Sequence, residues 1–460
     1  MHSIEDTIAA ISTPVGQGGI GIVRLTGPKA TSIADSVFRS PSRKRLLSAP
    51  SRRSIYGQIY DPADNRIVDE VLAVVMRAPN SYTREDVVEI SSHGGLVSVR
   101  NILEIVVRQG ARPADPGEFT KRAFLNGRLS LDQAEAVLDI ISARTSESMR
   151  IAGEQLRGDL TRKLADIRSW LIDISAYVEA YLDFPEDEIE HAPKETIRKR
   201  LTETVAEINR LSSTFDEARF FREGLAVAIV GRPNVGKSSL LNTMLQKDRA
   251  IVTDLPGTTR DLIEDFLNIN GLPVRITDTA GIRNSKEVIE QEGIRRSVQA
   301  INHADFIVAM FDGSEPLCQE DLDLLQVIRG KYAVAVISKA DLPRAITLDR
   351  IAAEGMPLLR LSTVTGEGVE ELKQSIFASH LCGWKEEREG VVVTNIRHKT
   401  ALDSAAGSLE KAALLLAQGE PLELFSIEMR SALDMIGEIT GTITTDDILD
   451  RIFSSFCIGK

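Results

Sequence analysis

Apolar residues along the chain follow three successive patterns. Up to about residue 118, short β-rich runs alternate with turns. Ile20-Gly21-Ile22-Val23-Arg24-Leu25 and Asp69-Glu70-Val71-Leu72-Ala73-Val74-Val75-Met76, bounded by Gly and Pro, predict strands. One helix is predicted over 96–108, after Gly94-Gly95, so this first part reads as an α+β domain. From Ser130 the period lengthens. Ser130-Leu131-Asp132-Gln133 has the form of a capping box, and Ala134, Val137, Leu138 and Ile141 recur at three and four. Helical spacing continues through Leu156, Leu160, Leu164, Ile167, Leu171 and Ile174, and a further helical run is predicted over 195–222. Between 224 and 380 short apolar runs at 225–230, 274–277, 306–311 and 333–337 alternate with helical stretches, the sign of a parallel α/β sheet. Helical periodicity then returns to the end. An α/β unit flanked by helical segments suggests insertion into one helical domain. The expected division is 1–118, helical 119–217, α/β 218–380 and helical 381–460.

Composition narrows the class. The 460 residues are 27% charged and 43% hydrophobic, which excludes a wholly disordered or fibrous chain. No stretch approaches the roughly 18 consecutive apolar residues of a membrane span, so no membrane association is expected. The acidic start Met1-His2-Ser3-Ile4-Glu5-Asp6 lacks a basic-then-apolar leader, and a cytoplasmic protein is expected. Cys318, Cys382 and Cys457 are far apart without CxxC spacing, which argues against a disulfide scaffold or a zinc site. A net charge of −12 is not the footprint of a protein that coats itself with nucleic acid. The acid-free stretch 39–53, with six cations, is read as a solvated loop.

Candidate chemistry concentrates in the α/β segment. Gly231-Arg232-Pro233-Asn234-Val235-Gly236-Lys237-Ser238 fits G-x-x-x-x-G-K-[ST] between an apolar strand and a helix beginning at Ser239, as a phosphate-cradling loop requires. Backbone amides would hold the phosphates, Lys237 would neutralise the outer ones, and Ser238 would ligate Mg²⁺. Asp278-Thr279-Ala280-Gly281 follows a strand, placing a carboxylate near the Mg²⁺ shell and a glycine amide near the γ-phosphate. Thr253-Asp254-Leu255-Pro256-Gly257-Thr258-Thr259 offers hydroxyls, that of Thr259 to the same metal. Ser338-Lys339-Ala340-Asp341 places a carboxylate that could accept from the guanine N1–H and N2–H₂ donors, selecting GTP over ATP, and Ser362-Thr363 would complete the base pocket. The set resembles a translation-factor-related GTPase. Its base motif departs from the usual Asn-Lys-x-Asp at Ser338, and Thr363 stands where Ala is usual. After Gly281 stands Ile282, which cannot orient water. Glu287, Glu290 and Glu292 are the candidates, and the residues alone do not choose among them.

The whole chain resembles the MnmE (TrmE) family of tRNA-modification GTPases. The likeness rests on Thr13-Pro14-Val15-Gly16 with 18–24, on Tyr82-Thr83-Arg84-Glu85-Asp86, His93-Gly94-Gly95 and Pro116-Gly117-Glu118-Phe119, and on the phosphate loop. The tail Phe456-Cys457-Ile458-Gly459-Lys460 completes it. The resemblance implies an N-terminal tetrahydrofolate-binding domain that mediates homodimerisation, a discontinuous helical domain and an inserted P-loop GTPase domain. It also implies a FAD-containing partner, MnmG, in a heterotetramer or larger complex. That complex installs an aminomethyl-type (carboxymethylaminomethyl) group at C5 of the wobble uridine of certain tRNAs. The one-carbon unit would come from a methylene- or formyl-tetrahydrofolate.

By the same resemblance, K⁺ would be held by Asn234, Thr253, the Leu255 backbone and Thr258. Glu290, three residues before Gly293-Ile294, would orient water. GTP contacts would run over 234–239, 253–259 and 278–281, including Ser239, and the base would meet Ser338, Lys339, Asp341, Ser362 and Thr363. Folate would meet Arg24, Glu89, Arg128 and Lys460, with Cys457 lining the site. Arg128 stands where some relatives carry Lys.

Three further features read otherwise. Gly16-Gln17-Gly18-Gly19-Ile20-Gly21 satisfies G-x-G-x-x-G but leads into a strand, so it is read as a glycine turn near the folate rather than a dinucleotide site. His93 is read as a turn histidine, and Arg260 and Arg283 as solvent-facing. The competing function is a GTPase switch that binds ribosome-assembly intermediates without modification chemistry.

Overall fold

The structure, a computed structural model, describes residues 6–14, 16–183, 194–248, 265–277, 299–381, 384 and 390–460. Among these, one compact unit gathers the chain up to Leu138 with Ile436–Lys460, and the other runs from Asp139 to Met435.

The first unit is built on a seven-stranded sheet. Its strands are β1 (Ile8–Ile11), β2 (Gly18–Thr26), β3 (Phe38–Arg39), β4 (Ser54–Tyr60), β5 (Ile67–Met76), β6 (Val87–Gly94) and β7 (Arg112–Pro113), ordered β3-β4-β5-β6-β2-β1-β7. All neighbours are antiparallel except β1 and β7. Burial alternates along β4 and β5, as in a sheet with one covered face. The cover includes the helix Leu96–Arg108, whose Val99, Ile102, Ile105 and Val106 form one buried stripe. Gly21 lies within β2, so the glycine-rich stretch is strand from Gly18 onward rather than a turn. A Cβ there would come within 2.2 Å of Val99 Cγ1, so glycine lets the helix approach the sheet. His93 also proves to be a strand residue, paired with Ile20. Its ring sits 2.6 Å from Asp69.

The same unit recovers the end of the chain. Leu449, Phe453 and Phe456 bury against Leu131 and Ala134. The amides of Gly117 and Phe119 donate to the Cys457 and Lys460 carbonyls at 3.4 and 3.2 Å. At the start of the helix Leu131–Ser142, Gln133 Oε1 accepts from both the amide and hydroxyl of Ser130, each at 3.0 Å. The basic stretch 39–53 keeps its cations exposed, though Arg45 pairs with the buried Asp35.

The second unit contains a six-stranded sheet: β8 (Leu225–Val230), β9 (Asp265–Ile269), β10 (Leu272–Thr277), β11 (Phe306–Asp312), β12 (Ala333–Ser338) and β13 (Leu358–Arg360). The order is β13-β12-β11-β8-β10-β9, parallel except for β9. β8, β11 and β12 are buried at every residue, which is why they read as unbroken apolar runs. Helical segments before and after the sheet pair with each other. The helix Lys194–Ser213 packs along Ile396–Gln418. Gln155 Nε2 donates to Thr394 Oγ1 at 3.0 Å, and the Val393 amide donates to Thr214 Oγ1 at 2.9 Å. The run expected over 195–222 is therefore two helices, Lys194–Ser213 and Phe215–Glu223. Thr214 between them donates its hydroxyl to Leu211 O and accepts from across the insertion. The α/β sheet is thus inserted into a discontinuous helical domain.

Candidate functional site

β8 is the strand at which sheet order reverses, and ligands in open α/β sheets collect at such a point beyond the carboxyl ends. The chain leaves β8 through residues 231–236 and enters the helix Lys237–Asp248. Gly231 takes φ +151°, and a Cβ there would lie 2.4 Å from Met310 O, so the loop hugs the end of β11 only with glycine. Asn234 is exposed and left-handed at φ +65°, with Val235 buried beside it as an anchor. The first amides of a helix have no intrahelical acceptors, so this loop presents donors and a positive dipole end to an anion. Lys237 Nζ donates to Gly231 O at 2.6 Å and Arg232 O at 2.8 Å. Burial pushes its pKa below the usual lysine value. An ammonium whose hydrogen-bond partners among the described residues are two carbonyls is suited to phosphate oxygens. Ser238 and Ser239 follow it in the first turn.

The base motif lies beyond β12. Ser362 is wholly buried and donates to Asp341 Oδ1 at 2.6 Å while accepting the Val364 and Thr365 amides at 3.2 Å each. The Ala340 amide donates to Leu361 O at 3.1 Å, so the two loops are joined through backbone as well. The structure therefore brings Asp341, Ser362 and Thr363 together. Asp341 is exposed at the mouth, able to accept from a base edge. Ser338 is 3% exposed and its hydroxyl donates to Phe311 O at 3.0 Å, so it ties strands rather than facing a ligand. The predicted positions Thr253, Asp254, Leu255, Pro256, Gly257, Thr258 and Thr259 lie outside the described residues. So do Asp278, Thr279, Ala280, Gly281 and Glu290, together with Glu287, Glu292, Arg260 and Arg283.

A second constellation lies in the first unit, on β2 and β6. Arg24 and Glu89 face each other across the strands, Nε and Nη2 each reaching Oε1 at 2.9 and 2.8 Å. Arg24 Nη1 also donates to Gly459 O at 3.4 Å, and Ser12 Oγ donates to the same carbonyl at 3.3 Å. The Lys460 ammonium is pushed below its ordinary range by burial and by Arg24, against the opposing pull of Glu89. Arg128 donates to Tyr82 O at 2.7 Å. Its guanidinium lies 4.7 Å from the Tyr82 ring centre, and that of Arg24 lies 5.7 Å from the rings of Tyr82 and Phe119. Two guanidiniums thus lie over the Tyr82 ring, and Glu89 and Lys460 adjoin Arg24, a set suited to a flat, partly anionic ligand. Cys457 is half-buried in the adjoining tail. Sequence reading missed Tyr82 and Phe119 as site residues, because a ring between two cations is visible only once β2, the 82–85 loop and residue 128 meet.

A phosphate loop at the switch point, a loop bearing a carboxylate for a base, and insertion into helices define a P-loop GTPase with a helical and an N-terminal domain. The comparisons agree. The family model "GTP-binding protein TrmE N-terminus" matches residues 7–128, and "MnmE helical domain" matches 131–457. A "tRNA modification GTPase MnmE" of Geobacter sulfurreducens is 48% identical over 99% of this chain and 100% of its own. Proteins of the same name from Alkaliphilus oremlandii and Geobacillus kaustophilus are each 45% identical, over 99% of this chain and 100% and 99% of theirs. The solved G domain of the Thermotoga maritima FeoB iron transporter covers 34% of this chain and 98% of its own at 27% identity. Its TM-score of 0.26 is too low to argue from. The chain belongs to the MnmE (TrmE) family of tRNA modification GTPases. Among the described residues no helix is long and apolar enough to cross a membrane.

Proposed function

We propose that this GTPase is the GTP-hydrolysing component of a complex that adds an aminomethyl-type (carboxymethylaminomethyl) group at C5 of the wobble uridine of certain tRNAs. A tetrahydrofolate derivative supplies the one-carbon unit when bound. The observation that carries the reading is a linked cluster far along the sequence from the phosphate loop: Arg24 and Arg128 lie over the Tyr82 ring, Glu89 pairs with Arg24, and Lys460 feels both Arg24 and Glu89. A GTPase acting only as a binding switch has no use for such a cluster. Glu89 would accept from the N–H groups of a pterin, Arg128 and Lys460 would meet a glutamate carboxylate, and the Tyr82 face would stack on a flat ring.

At the nucleotide site, Lys237 exchanges its two carbonyl partners for phosphate oxygens, and the Ser238 hydroxyl is in the first helical turn where Mg²⁺ ligation needs it. Asp341, held by Ser362, reads the guanine edge. Asn234, exposed at the turn of the loop, suits a K⁺ ligand, joined from sequence by Thr253, Leu255 and Thr258. A monovalent cation there would supply positive charge to offset the negative charge developing on the transferred phosphoryl group. Thr259 would join Ser238 in holding Mg²⁺, and Glu290 would orient water. The protein acts as a homodimer with the FAD-containing partner MnmG and with tRNA.

Equilibrium binding of 5-formyl-tetrahydrofolate to the full-length protein tests the reading. Micromolar binding lost in Arg24→Ala, with GTP turnover retained, is expected. Absence of binding to the wild type overturns it.

A further inference from the structure

The last residue of β11 is a carboxylate that no part of the nucleotide reading uses. Asp312 is 4% exposed and collects three donors. Lys339 Nζ lies 2.5 Å from Oδ2, and the amide and hydroxyl of Ser314 lie 2.9 and 2.6 Å from Oδ1. Lys339 itself is unusual, a non-glycine residue at φ +56° in the middle of the base motif. Such a conformation persists only where its surroundings hold it. Here the holders are identifiable. The Gly313 amide donates to Ser338 O at 3.0 Å, Ser338 donates to Phe311 O, and Asp312 takes the Lys339 ammonium. With a serine at 338 already committed to a strand carbonyl, Asp312 anchors the loop at Lys339, two residues before Asp341, while Ser362 holds Asp341 itself.

We propose that Asp312 is a positioning residue for guanine recognition: through its ion pair with Lys339 it fixes the 338–341 loop so that Asp341 meets the base in one orientation. The inference rests on the reading of Asp341 as the guanine-selecting carboxylate. Asp312 touches no nucleotide in this account and acts only through Lys339. Burial alone would push its carboxyl up, but Lys339 and Ser314 outweigh that and hold it below the ordinary value.

The test is steady-state GTP hydrolysis by the full-length protein in K⁺ and Mg²⁺, with thermal stability measured alongside. Asp312→Asn should raise KM for GTP roughly tenfold, the scale of one charge-assisted hydrogen bond, and leave kcat at saturating GTP within about twofold. Lys339→Met, at a position that itself belongs to the base motif, should raise KM at least as much, and the double variant should be no worse than Lys339→Met alone, because Asp312 acts only through Lys339. Ser314→Ala, a milder change, should raise KM about two- to threefold and keeps the test open if Asp312→Asn does not fold. An unchanged KM in Asp312→Asn, additive effects in the double variant, or a fall in kcat at constant KM overturns the proposal. Asp341→Asn separates the two ideas. It should trade GTP for XTP, whose 2-oxo group can accept from an amide. If Asp341→Asn hydrolyses GTP as well as the wild type, the base reading itself fails.

Discussion

Ser362→Ala tests the base pocket with the smallest change available. The hydroxyl is fully buried and makes three hydrogen bonds, one to the Asp341 carboxylate at 2.6 Å and two from the Val364 and Thr365 amides at 3.2 Å. Alanine keeps the Cβ and removes all three. A hydrogen bond to an ionised group contributes about 1.5–3 kcal/mol. Asp341 is exposed and rehydrates when released, and Val364 is 83% exposed, so water can reach its amide. The lower end applies, and the loss falls on nucleotide binding, because an unheld Asp341 must be ordered by the base. About 1–2 kcal/mol corresponds to roughly 5- to 30-fold weaker binding. Fluorescence titration with a labelled GDP in K⁺ and Mg²⁺ measures it without hydrolysis. The preference for GDP over IDP, which lacks the 2-amino group, should shrink in parallel. A Kd within twofold of the wild type would show that Ser362 does not hold the carboxylate that reads the base.

Hydrolysis should be much faster in K⁺ than in Na⁺, and Asn234→Ala should slow the K⁺ rate on the order of 100-fold, the scale of one lost transition-state donor. Equal rates in the two salts would remove the cation assignment. Glu290→Ala should bind GTP nearly normally and fail to turn it over. If Glu287→Ala or Glu292→Ala behaves so instead, the water-orienting role belongs elsewhere. The Asp69 carboxylate beside His93 raises the imidazole pKa above 6.5. The fold therefore favours the protonated ring. That contribution is complete below 6.5 and disappears as pH climbs through the higher folded value. A ring titration by NMR should place the His93 midpoint above 6.5, and Asp69→Asn should return it towards about 6.5.

What the sequence discloses follows the physics of each element. β8, β11 and β12 are buried on both faces, so their apolar runs are unbroken, and expectation and observation agree to a residue or so. The helix Leu96–Arg108 is legible because one face must be apolar and Gly95 precedes it. Thr214 is different. A threonine is compatible with a helix, and its break depends on an amide from Val393, about 180 residues away. His93 looked like a turn residue because Gly94-Gly95 follow, whereas pairing of β2 with β6 keeps it in strand. At the sites, the phosphate loop is legible because a local backbone path requires its glycines. The role of Tyr82 is not, since cation–ring contacts carry no sequence spacing. Asp312 escapes notice for the same reason: as the end of an apolar strand it has no motif, and only the register of β11 against β12, with Asp312 opposite Ser338, brings it to Lys339.

The central claim, that GTP turnover here serves tRNA modification, is tested most directly by mass spectrometry of tRNA nucleosides from cells depleted of the protein. The account predicts loss of the C5 aminomethyl-type modification at the wobble uridine, restored by the intact gene but not by Lys237→Ala. Unchanged nucleosides alongside a ribosome-assembly defect would contradict it and assign the GTPase to a binding switch.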